Sequence, residues 1–309
     1  MQYALLFPGQ GSQCVGMGKS FYESHSLAKE LFEKASGVLK VDMKKMLFEE
    51  NDLLNQTAYT QPAIYLVSYI AYKLLDQRIE GGLRPTFALG HSLGEVSAVS
   101  LSGALDFDKA IKLTHERGKM MQEVCNGKDV SMMVVLGVQE EKLLSLCQKT
   151  KNVWCANFNG GMQVVLAGLK SDLKTLEPIL KEMGAKRVVF LEMSVASHCP
   201  FLEPMTSSFR ALLEKSLKDK FNFEVISNAT KEAYSNKEKA IELLSLQLTQ
   251  PVHYQDCVKE NNDRVDVFFE LGCGNVLKGL NKRLSNKPTL SVGDNKGLEE
   301  VIEFLEEYV

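Results

Sequence analysis

The amino-acid sequence predicts an α/β fold with a larger body around a parallel sheet and an inserted ferredoxin-like (βαββαβ) subdomain. Short apolar runs alternate with amphipathic helical segments along most of the chain, which is typical of parallel sheets. Residues 128–196 instead follow the order strand, helix, strand, strand, helix, strand, which forms a unit of its own. We therefore expect residues 1–127 and 197–309 to form the larger body and residues 128–196 the subdomain.

Length, charge and hydropathy limit the class of protein. A chain of 309 residues can bury a large core in one large domain or two smaller ones. A net charge of -3 provides no broad positive surface, so we expect neither nucleic acid nor a membrane as a partner. The first residues form a short apolar run without a basic region, and no stretch approaches the roughly 20 apolar residues of a membrane span. A cytoplasmic location is expected.

The seven cysteines are scattered along the chain and include no CxxC pair. Their odd number and wide spacing favour reduced thiols over a disulfide framework or a zinc site, so we expect no bound metal. The sequence also contains no heptad repeat and no long apolar edge that would indicate an oligomer. A monomer is therefore expected.

The N-terminal elements follow from local patterns. "YALLF" (3–7) predicts a buried strand, "PGQGSQCVGMG" (8–18) a glycine-rich loop, and residues 19–39 a helix. In "TQPAIYLVSYIAYKLLDQ" (60–77), Thr60 stands where an N-cap belongs and Pro62 lies in the first turn. We expect a second helix to begin there.

The remaining elements complete the two units. "PTFALG" (85–90) predicts a second buried strand, "HSLGE" (91–95) its turn, and residues 96–101 a helix. In the subdomain we expect strands at 131–138, 152–159, 162–168 and 186–194 and helices at 140–149 and 171–184. Beyond it we expect helices at 202–218 and 237–249, strands at 222–228 and 266–272, and a helical C-terminal tail.

The segment "ALGHSLGEVSA" (88–98) places Ser92 between two glycines in a GxSxG pattern. Between a strand and a helix, this pattern is the nucleophile elbow of an α/β-hydrolase-like core. The tight turn lifts the serine hydroxyl above the sheet edge, and the glycines remove side chains that would clash. A serine that caps the following helix is the alternative, but the flanking strand and helix favour a nucleophile.

A serine hydroxyl becomes a good nucleophile only when a base takes its proton, and the chain has five histidines. His198 lies in a predicted loop where the chain re-enters the larger body, which makes it our candidate. His253 is the second choice. The other three lie in the serine turn or in predicted helices: His91, His25 and His115.

Attack on an acyl carbonyl creates a negative oxygen, which main-chain N–H groups can stabilise. Leu93 lies at the start of the helix after the serine, and Gln10 lies in the glycine-rich loop after the first strand. Both N–H groups are candidate donors. An ordinary flexible turn is the alternative for "GQGSQ", which lacks the GK[ST] ending of a phosphate-binding loop and does not match GxGxxG.

Six motifs, spread over nearly the whole chain, resemble those of the malonyl-CoA:acyl-carrier-protein transacylases, the acyltransferases of type II fatty acid synthesis. They are "FPGQGSQ" (7–13), "TQPA" (60–63), "GHSLGE" (90–95), "RGKMMQ" (117–122), "ASH" (196–198) and "QLTQPV" (247–252). Each motif alone is weak evidence, but their common order and spacing are specific. The usual "GPGKVL" is "GCGNVL" here (272–277), which puts a contribution of that loop to phosphate binding in doubt.

The resemblance implies that Ser92 is the nucleophile, His198 the base, and the N–H groups of Gln10 and Leu93 the oxyanion donors. It also implies that Arg117 binds the malonyl carboxylate. A guanidinium presents two parallel donors to a carboxylate, although by pattern alone this arginine would be a solvated residue of an amphipathic helix.

The resemblance also implies roles for four glutamines around Ser92 and His198. The resemblance places Gln61 and Gln163 in the substrate pocket. It also implies that a main-chain carbonyl near Gln247 and Gln250 orients the histidine, where a hydrolase has an acid.

The resemblance implies a ping-pong transfer of malonyl from malonyl-CoA, through the serine, to the phosphopantetheine thiol of acyl carrier protein, without a cofactor. A serine hydrolase or thioesterase and a non-catalytic scaffold are the alternatives. The carrier is expected to be acidic, so a basic rim would receive it, unless these charges belong to ordinary solvated faces. The candidates are Lys186, Arg187, Lys278, Lys282 and Arg283.

Overall fold

The computed structural model describes residues 1–191, 193 and 195–307. In chain order the strands are β1 (Tyr3–Phe7), β2 (Phe87–Gly90), β3 (Val130–Leu136), β4 (Val153–Gly160), β5 (Gln163–Leu169), β6 (Arg187–Phe190), β7 (Glu224–Ile226), β8 (Ala233–Tyr234), β9 (Val267–Leu271) and β10 (Thr289–Val292).

The α-helices are α1 (Lys19–Ser24), α2 (Ser26–Leu39), α3 (Met43–Phe48), α4 (Thr57–Arg78), α5 (Leu93–Val99), α6 (Phe107–Cys125), α7 (Glu140–Lys149), α8 (Lys170–Glu182), α9 (Thr206–Ser216), α10 (Lys237–Leu246), α11 (Tyr254–Asn261), α12 (Val276–Asn281) and α13 (Asn295–Glu306). Short 3₁₀ turns lie at Leu53–Asn55, Pro200–Met205 and Asn262–Arg264, and a π-helical turn at Ser100–Ala104. None of the helices in these described ranges is long and apolar enough to cross a membrane.

The first sheet has the order β10-β9-β1-β2-β7-β8, and all its pairings are parallel except that of β8 with β7. β2 and β9 are buried throughout, in agreement with their largely apolar sequences, although β9 also buries Glu270. Phe7 is paired with Gly90, so β1 and β2 end side by side. The glycine-rich loop and the serine turn therefore leave the sheet together.

The second sheet is antiparallel, with the order β4-β5-β3-β6. Buried residues of α7 and α8, such as Leu143 and Leu176, pack with its strands in a separate apolar cluster. A mixed α/β fold with two distinct sheets, as predicted, is confirmed.

The two sheets are connected near the end of β4. Val252 N donates a hydrogen bond to Ala156 O (2.8 Å), and Phe158 N donates one to Val252 O (2.8 Å). This short parallel bridge attaches the antiparallel sheet to the segment that follows α10. Asn157, between the bonded residues, is thereby placed at the cleft between the sheets.

The first two helix predictions along the chain need correction. The helix expected over 19–39 is two helices, because His25 is extended (φ -126°, ψ 126°). The helix expected at Thr60 starts at Thr57, with Gln56 at its N-cap position. The Thr60 hydroxyl lies inside this helix and hydrogen-bonds the Leu54 and Gln56 carbonyls, so it does not cap the helix.

The strand and helix assignments near the C-terminus were incomplete. β10 was not predicted, although it pairs with β9 over four residues at the sheet edge. Within the strand expected over 186–194, the described strand is Arg187–Phe190, and residues 192 and 194 lie outside the described residues. The helix expected over 202–218 consists of a 3₁₀ turn and α9.

Candidate active site

Ser92 occupies a sharp turn between β2 and α5. Its backbone has φ 55° and ψ -105°, a conformation that non-glycine residues rarely adopt. Two residues later, a Cβ on Gly94 would lie 1.9 Å from Phe7 O, so only glycine lets α5 begin this close to β1. Ser92 N donates a hydrogen bond to Asn228 Oδ1 (2.7 Å), which fixes the turn from the adjacent loop. The predicted elbow geometry is present.

His198 lies against this serine. Its Nε2 is 2.7 Å from Ser92 Oγ, and its Nδ1 is 2.7 Å from Gln247 O. Since a carbonyl oxygen can only accept, Nδ1 carries the proton in the neutral ring. Nε2 is then the acceptor, and the serine hydroxyl donates to it. His198 also has a positive φ of 59°, so both partners are held in uncommon backbone conformations.

The other four histidines have different neighbours. His91 Nε2 lies 2.9 Å from Asn159 Oδ1 and His115 Nδ1 lies 2.8 Å from Ala58 O, and neither ring hydrogen-bonds Ser92. His253, the second choice for the base, stacks on Phe158 and lies 3.6 Å from Asp256 Oδ2. His25 contacts the last helix of the chain.

The imidazole of His198 is held neutral. Its pKa is lowered from 6.5 to about 3. Burial is the largest cause, and the positive charge of Arg117 is the second, whereas the main-chain hydrogen bonds with Gln247 and Gln250 act in the opposite direction. A neutral ring at physiological pH can accept the serine proton.

Arg117 is a buried cation beside the serine and histidine. Its Nη1 donates to Gln61 Oε1 (2.9 Å), and its Nη2 donates to Gln247 Oε1 (3.0 Å) and lies 3.4 Å from Ser92 Oγ. The Nε–H has no acceptor among the described residues. Burial lowers the pKa of Arg117 from 12.5 to about 10, so it remains charged at neutral pH.

Two helices bring this cation to the serine. α4 carries Gln61, and α6 carries Arg117. A Cβ on Gly118 would lie 2.4 Å from Thr57 O, so the glycine after the arginine allows close contact of α6 with the start of α4. This contact places the guanidinium next to Gln61 and removes it from solvent.

A narrow cavity surrounds the Ser92 hydroxyl. Gln10 and Leu93, the two candidate oxyanion donors, border it. As the first residue of α5, Leu93 has an N–H that cannot bond within the helix. Met132 of β3 and Asn157 of β4 contribute from the antiparallel sheet. The cavity therefore lies between the two sheets and is lined by a serine hydroxyl, a neutral imidazole and a buried guanidinium.

Comparison with known proteins agrees with this geometry. The profile of the acyl transferase domain family matches residues 4–287. The malonyl CoA-acyl carrier protein transacylase of Haemophilus influenzae is 34% identical over 310 residues, which cover 98% of this chain and 99% of that protein. The crystal structure of malonyl-CoA:acyl carrier protein transacylase from Helicobacter pylori is 83% identical, covers 100% of both chains and gives a TM-score of 0.99.

The chain belongs to the malonyl-CoA:acyl carrier protein transacylase family. Another solved structure is a type II PKS acyl-carrier protein in complex with its malonyl-transacylase. It is 32% identical to this chain, covers 98% of it and 100% of its own chain, and has a TM-score of 0.93.

One residue expected in the transacylase pocket lies outside it. Gln163 begins β5 after the two-residue turn at Gly161–Met162, and its Oε1 accepts a hydrogen bond from Arg283 Nη2 (3.2 Å). It therefore stands at the end of its strand and does not border the cavity around Ser92. Gln250 is exposed, and only its main chain interacts with His198.

The predicted basic rim divides into two locations. Arg187 and Gln163 both pair with Leu136 on β3, so Lys186, Arg187 and the Gln163-bound Arg283 lie near one end of the antiparallel sheet. Lys282, the C-cap of α12, is exposed next to Arg283 in the chain. Lys278 instead borders a cleft beside the glycine-rich loop.

A buried polar network behind the transacylase elbow was not predicted. Glu95 Oε1 accepts from Tyr234 OH (2.8 Å), and its Oε2 accepts from Asn228 N (2.9 Å) and Gln247 Nε2 (2.6 Å). Burial raises the pKa of Glu95 from 4.5 to about 7, although these hydrogen bonds oppose the rise. The "GHSLGE" motif contains this residue, but an acid in the first turn of a helix usually needs no partner beyond the helix dipole.

Proposed function

We propose that the chain transfers the malonyl group of malonyl-CoA to the phosphopantetheine thiol of acyl carrier protein through a malonyl-Ser92 intermediate. The observation that carries this proposal is the position of Arg117. It is a fully buried cation 3.4 Å from the nucleophile, bonded to neutral amides rather than to a carboxylate. A buried charge with an open donor is suited to bind an anionic substrate group.

In the first half-reaction, the Ser92 oxygen attacks the thioester carbonyl carbon while His198 Nε2 takes its proton. The carbonyl oxygen becomes an oxyanion, which the N–H groups of Gln10 and Leu93 stabilise. When the carbon–sulfur bond breaks, the imidazolium returns the proton to the departing thiolate, and coenzyme A leaves as a thiol.

The second half-reaction is the reverse with a new thiol. His198 takes the proton of the phosphopantetheine thiol, the sulfur attacks the Ser92 ester, and the serine oxygen leaves and regains the proton. No metal or bound cofactor takes part in this sequence. Because one acyl-sulfur bond is exchanged for another, the overall free-energy change is small.

The malonyl carboxylate also affects the base. Arg117 lowers the pKa of His198 in the free enzyme. When the carboxylate pairs with the guanidinium, this repulsion is largely neutralised, and His198 becomes more basic as the substrate binds. A carboxylate-bearing acyl group thereby improves the base that activates its own attack, which acetyl cannot do.

The orientation of His198 distinguishes this mechanism from a hydrolase triad. Its Nδ1 donates to the main-chain carbonyl of Gln247 rather than to an acid. A neutral carbonyl stabilises an imidazolium less than a carboxylate does. Such a base is sufficient for a thiol acceptor, which is more acidic than water.

We further propose an α/β-hydrolase-like larger body of residues 1–127 and 197–309 and a ferredoxin-like subdomain of residues 128–196. The chain order β3-α7-β4-β5-α8-β6 with sheet order β4-β5-β3-β6 supports the subdomain. We place the enzyme in the cytoplasm, since its seven free thiols suit a reducing compartment. We also propose that it is a monomer, since its sequence contains no heptad repeat. The acyl carrier protein would contact the rim at Lys186, Arg187, Lys282 and Arg283, with Lys278 farther along α12.

Mass spectrometry of the protein after mixing with malonyl-CoA tests the reaction. We expect a malonyl adduct on Ser92 that acyl carrier protein discharges faster than water does. An adduct that water discharges equally fast would indicate a thioesterase. If Ser92 carries no adduct, the proposal is wrong.

A further inference from the structure

One residue hydrogen-bonds the serine main chain, the histidine, the buried cation and the buried acid of the site. Gln247 is fully buried, and its carbonyl oxygen accepts from His198 Nδ1 (2.7 Å). Its side-chain Nε2 donates to Ser92 O (3.1 Å) and to Glu95 Oε2 (2.6 Å). Its Oε1 accepts from Arg117 Nη2 (3.0 Å). No mechanistic step described above uses this side chain.

The neighbours of Gln247 determine which way its amide points. An ionised carboxylate and a main-chain carbonyl can only accept hydrogen bonds, so the NH₂ group must face Glu95 and Ser92 O. A guanidinium can only donate, so the amide oxygen must face Arg117. A flipped amide would place donors against the guanidinium and an acceptor against the carboxylate. The orientation is therefore fixed at both ends.

This amide separates Glu95 from Arg117. The negative charge of Glu95 favours the charged form of Arg117. Because the amide lies between them, the carboxylate compensates the cation without occupying its donors. A direct ion pair would use those donors and would be hard to displace in a buried site. The arrangement keeps Arg117 charged, oriented and free of a protein carboxylate.

We infer that the Gln247 side chain is a positioning residue that sets the preference of the site for acyl groups that carry a carboxylate. It holds Arg117 in the orientation that receives the substrate carboxylate and keeps Glu95 from pairing with it. The inference rests on the proposed malonyl transfer. Acetyl loading needs Ser92, His198 and the oxyanion donors but not Arg117, so loss of this side chain should affect it less than it affects malonyl loading.

Gln247→Met tests the inference because it removes the amide and keeps the main-chain carbonyl that orients His198. Without the amide, Arg117 can turn towards Glu95. We expect kcat/KM for malonyl loading to fall about 10- to 100-fold, as for the loss of a buried hydrogen bond to a charged group, mainly through a higher KM. Acetyl loading should fall less than malonyl loading, so the ratio of the two kcat/KM values should shift about 10-fold towards acetyl.

Gln255→Met is a matched control. Gln255 donates to Glu140 (3.1 Å), so the control also removes a glutamine–glutamate hydrogen bond, but on α11 and outside the cavity. Both acyl groups should load at the wild-type rate in this variant. If Gln247→Met does not fold, the same loading assay is made with Gln247→Asn, whose shorter amide can reach Glu95 or Arg117 but not both.

The measurement is a quenched single-turnover assay at pH 8, with malonyl-CoA and acetyl-CoA each varied and the Ser92 adduct quantified by mass spectrometry. A selective loss of malonyl loading supports the inference. An equal loss for both acyl groups, or no loss for either, overturns it while leaving malonyl transfer by the wild type intact. Failure of the wild-type enzyme to form the malonyl adduct would instead refute the proposed function.

Discussion

Replacing Glu95 by glutamine removes one buried charge and leaves the shape of the site nearly unchanged. The new amide oxygen can accept from Asn228 N and Gln247 Nε2, and the new NH₂ group can donate to the Tyr234 oxygen. The hydrogen bonds of the network can therefore persist. Any pH-dependent difference in stability between this variant and the wild type then reports the ionisation of Glu95.

The size of that difference follows from the pKa. The pKa of Glu95 is 4.5 in the unfolded chain and about 7 in the folded protein, because burial disfavours the carboxylate. The folded state thus binds the proton more tightly, so this stabilisation is complete below pH 4.5 and is lost as the pH rises through 7. A difference of about 2.5 pH units corresponds to about 3 kcal/mol.

We expect Glu95→Gln to gain about 3 kcal/mol in free energy of unfolding, relative to the wild type, between pH 4 and pH 8.5. Urea unfolding of both proteins across this range measures the change, and the comparison cancels the titration of His198 and all other shared groups. A difference that stays constant within about 0.5 kcal/mol across the range would refute the raised pKa and the burial argument behind it.

Two further predictions concern the catalytic pair. Ser92→Gly should be more stable than Ser92→Ala by about 1 to 2 kcal/mol, because glycine relieves the backbone strain at φ 55°; equal melting temperatures would contradict this. In the Glu95→Gln background, acetyl loading should fall less than about 3-fold from pH 8 to pH 5.5, because the pKa of His198 is about 3. A roughly 10-fold fall would indicate an ordinary histidine pKa.

Local sequence patterns were sufficient to predict many of the strands and helices. Largely apolar runs predicted β1, β2 and β9, and amphipathic spacing predicted α7 at its observed bounds. The errors in element prediction arose where contacts between distant residues determine the secondary structure. β10 is a strand because it pairs with β9, and the break at His25 is not marked by glycine or proline.

The Ser92–His198 contact was predicted from a sequence motif and the position of a loop. The GxSxG pattern predicted the elbow, and the loop position of His198 made it the candidate base. The 2.7 Å separation joins residues 106 positions apart. Gln163 had comparable support from the resemblance, yet it lies at the end of β5 and does not border the cavity around Ser92.

A tight glycine-flanked turn and the helical and strand periodicities are local properties of the chain, so the residue types available for chemistry could be read from the sequence alone. Which polar groups share a buried environment depends instead on how distant segments pack. Glu95 meets Asn228, Tyr234 and Gln247 across 133 to 152 positions of sequence. Desolvation and hydrogen bonding depend on such distant neighbours, so the charge of Arg117 and the orientation of its partners follow from packing.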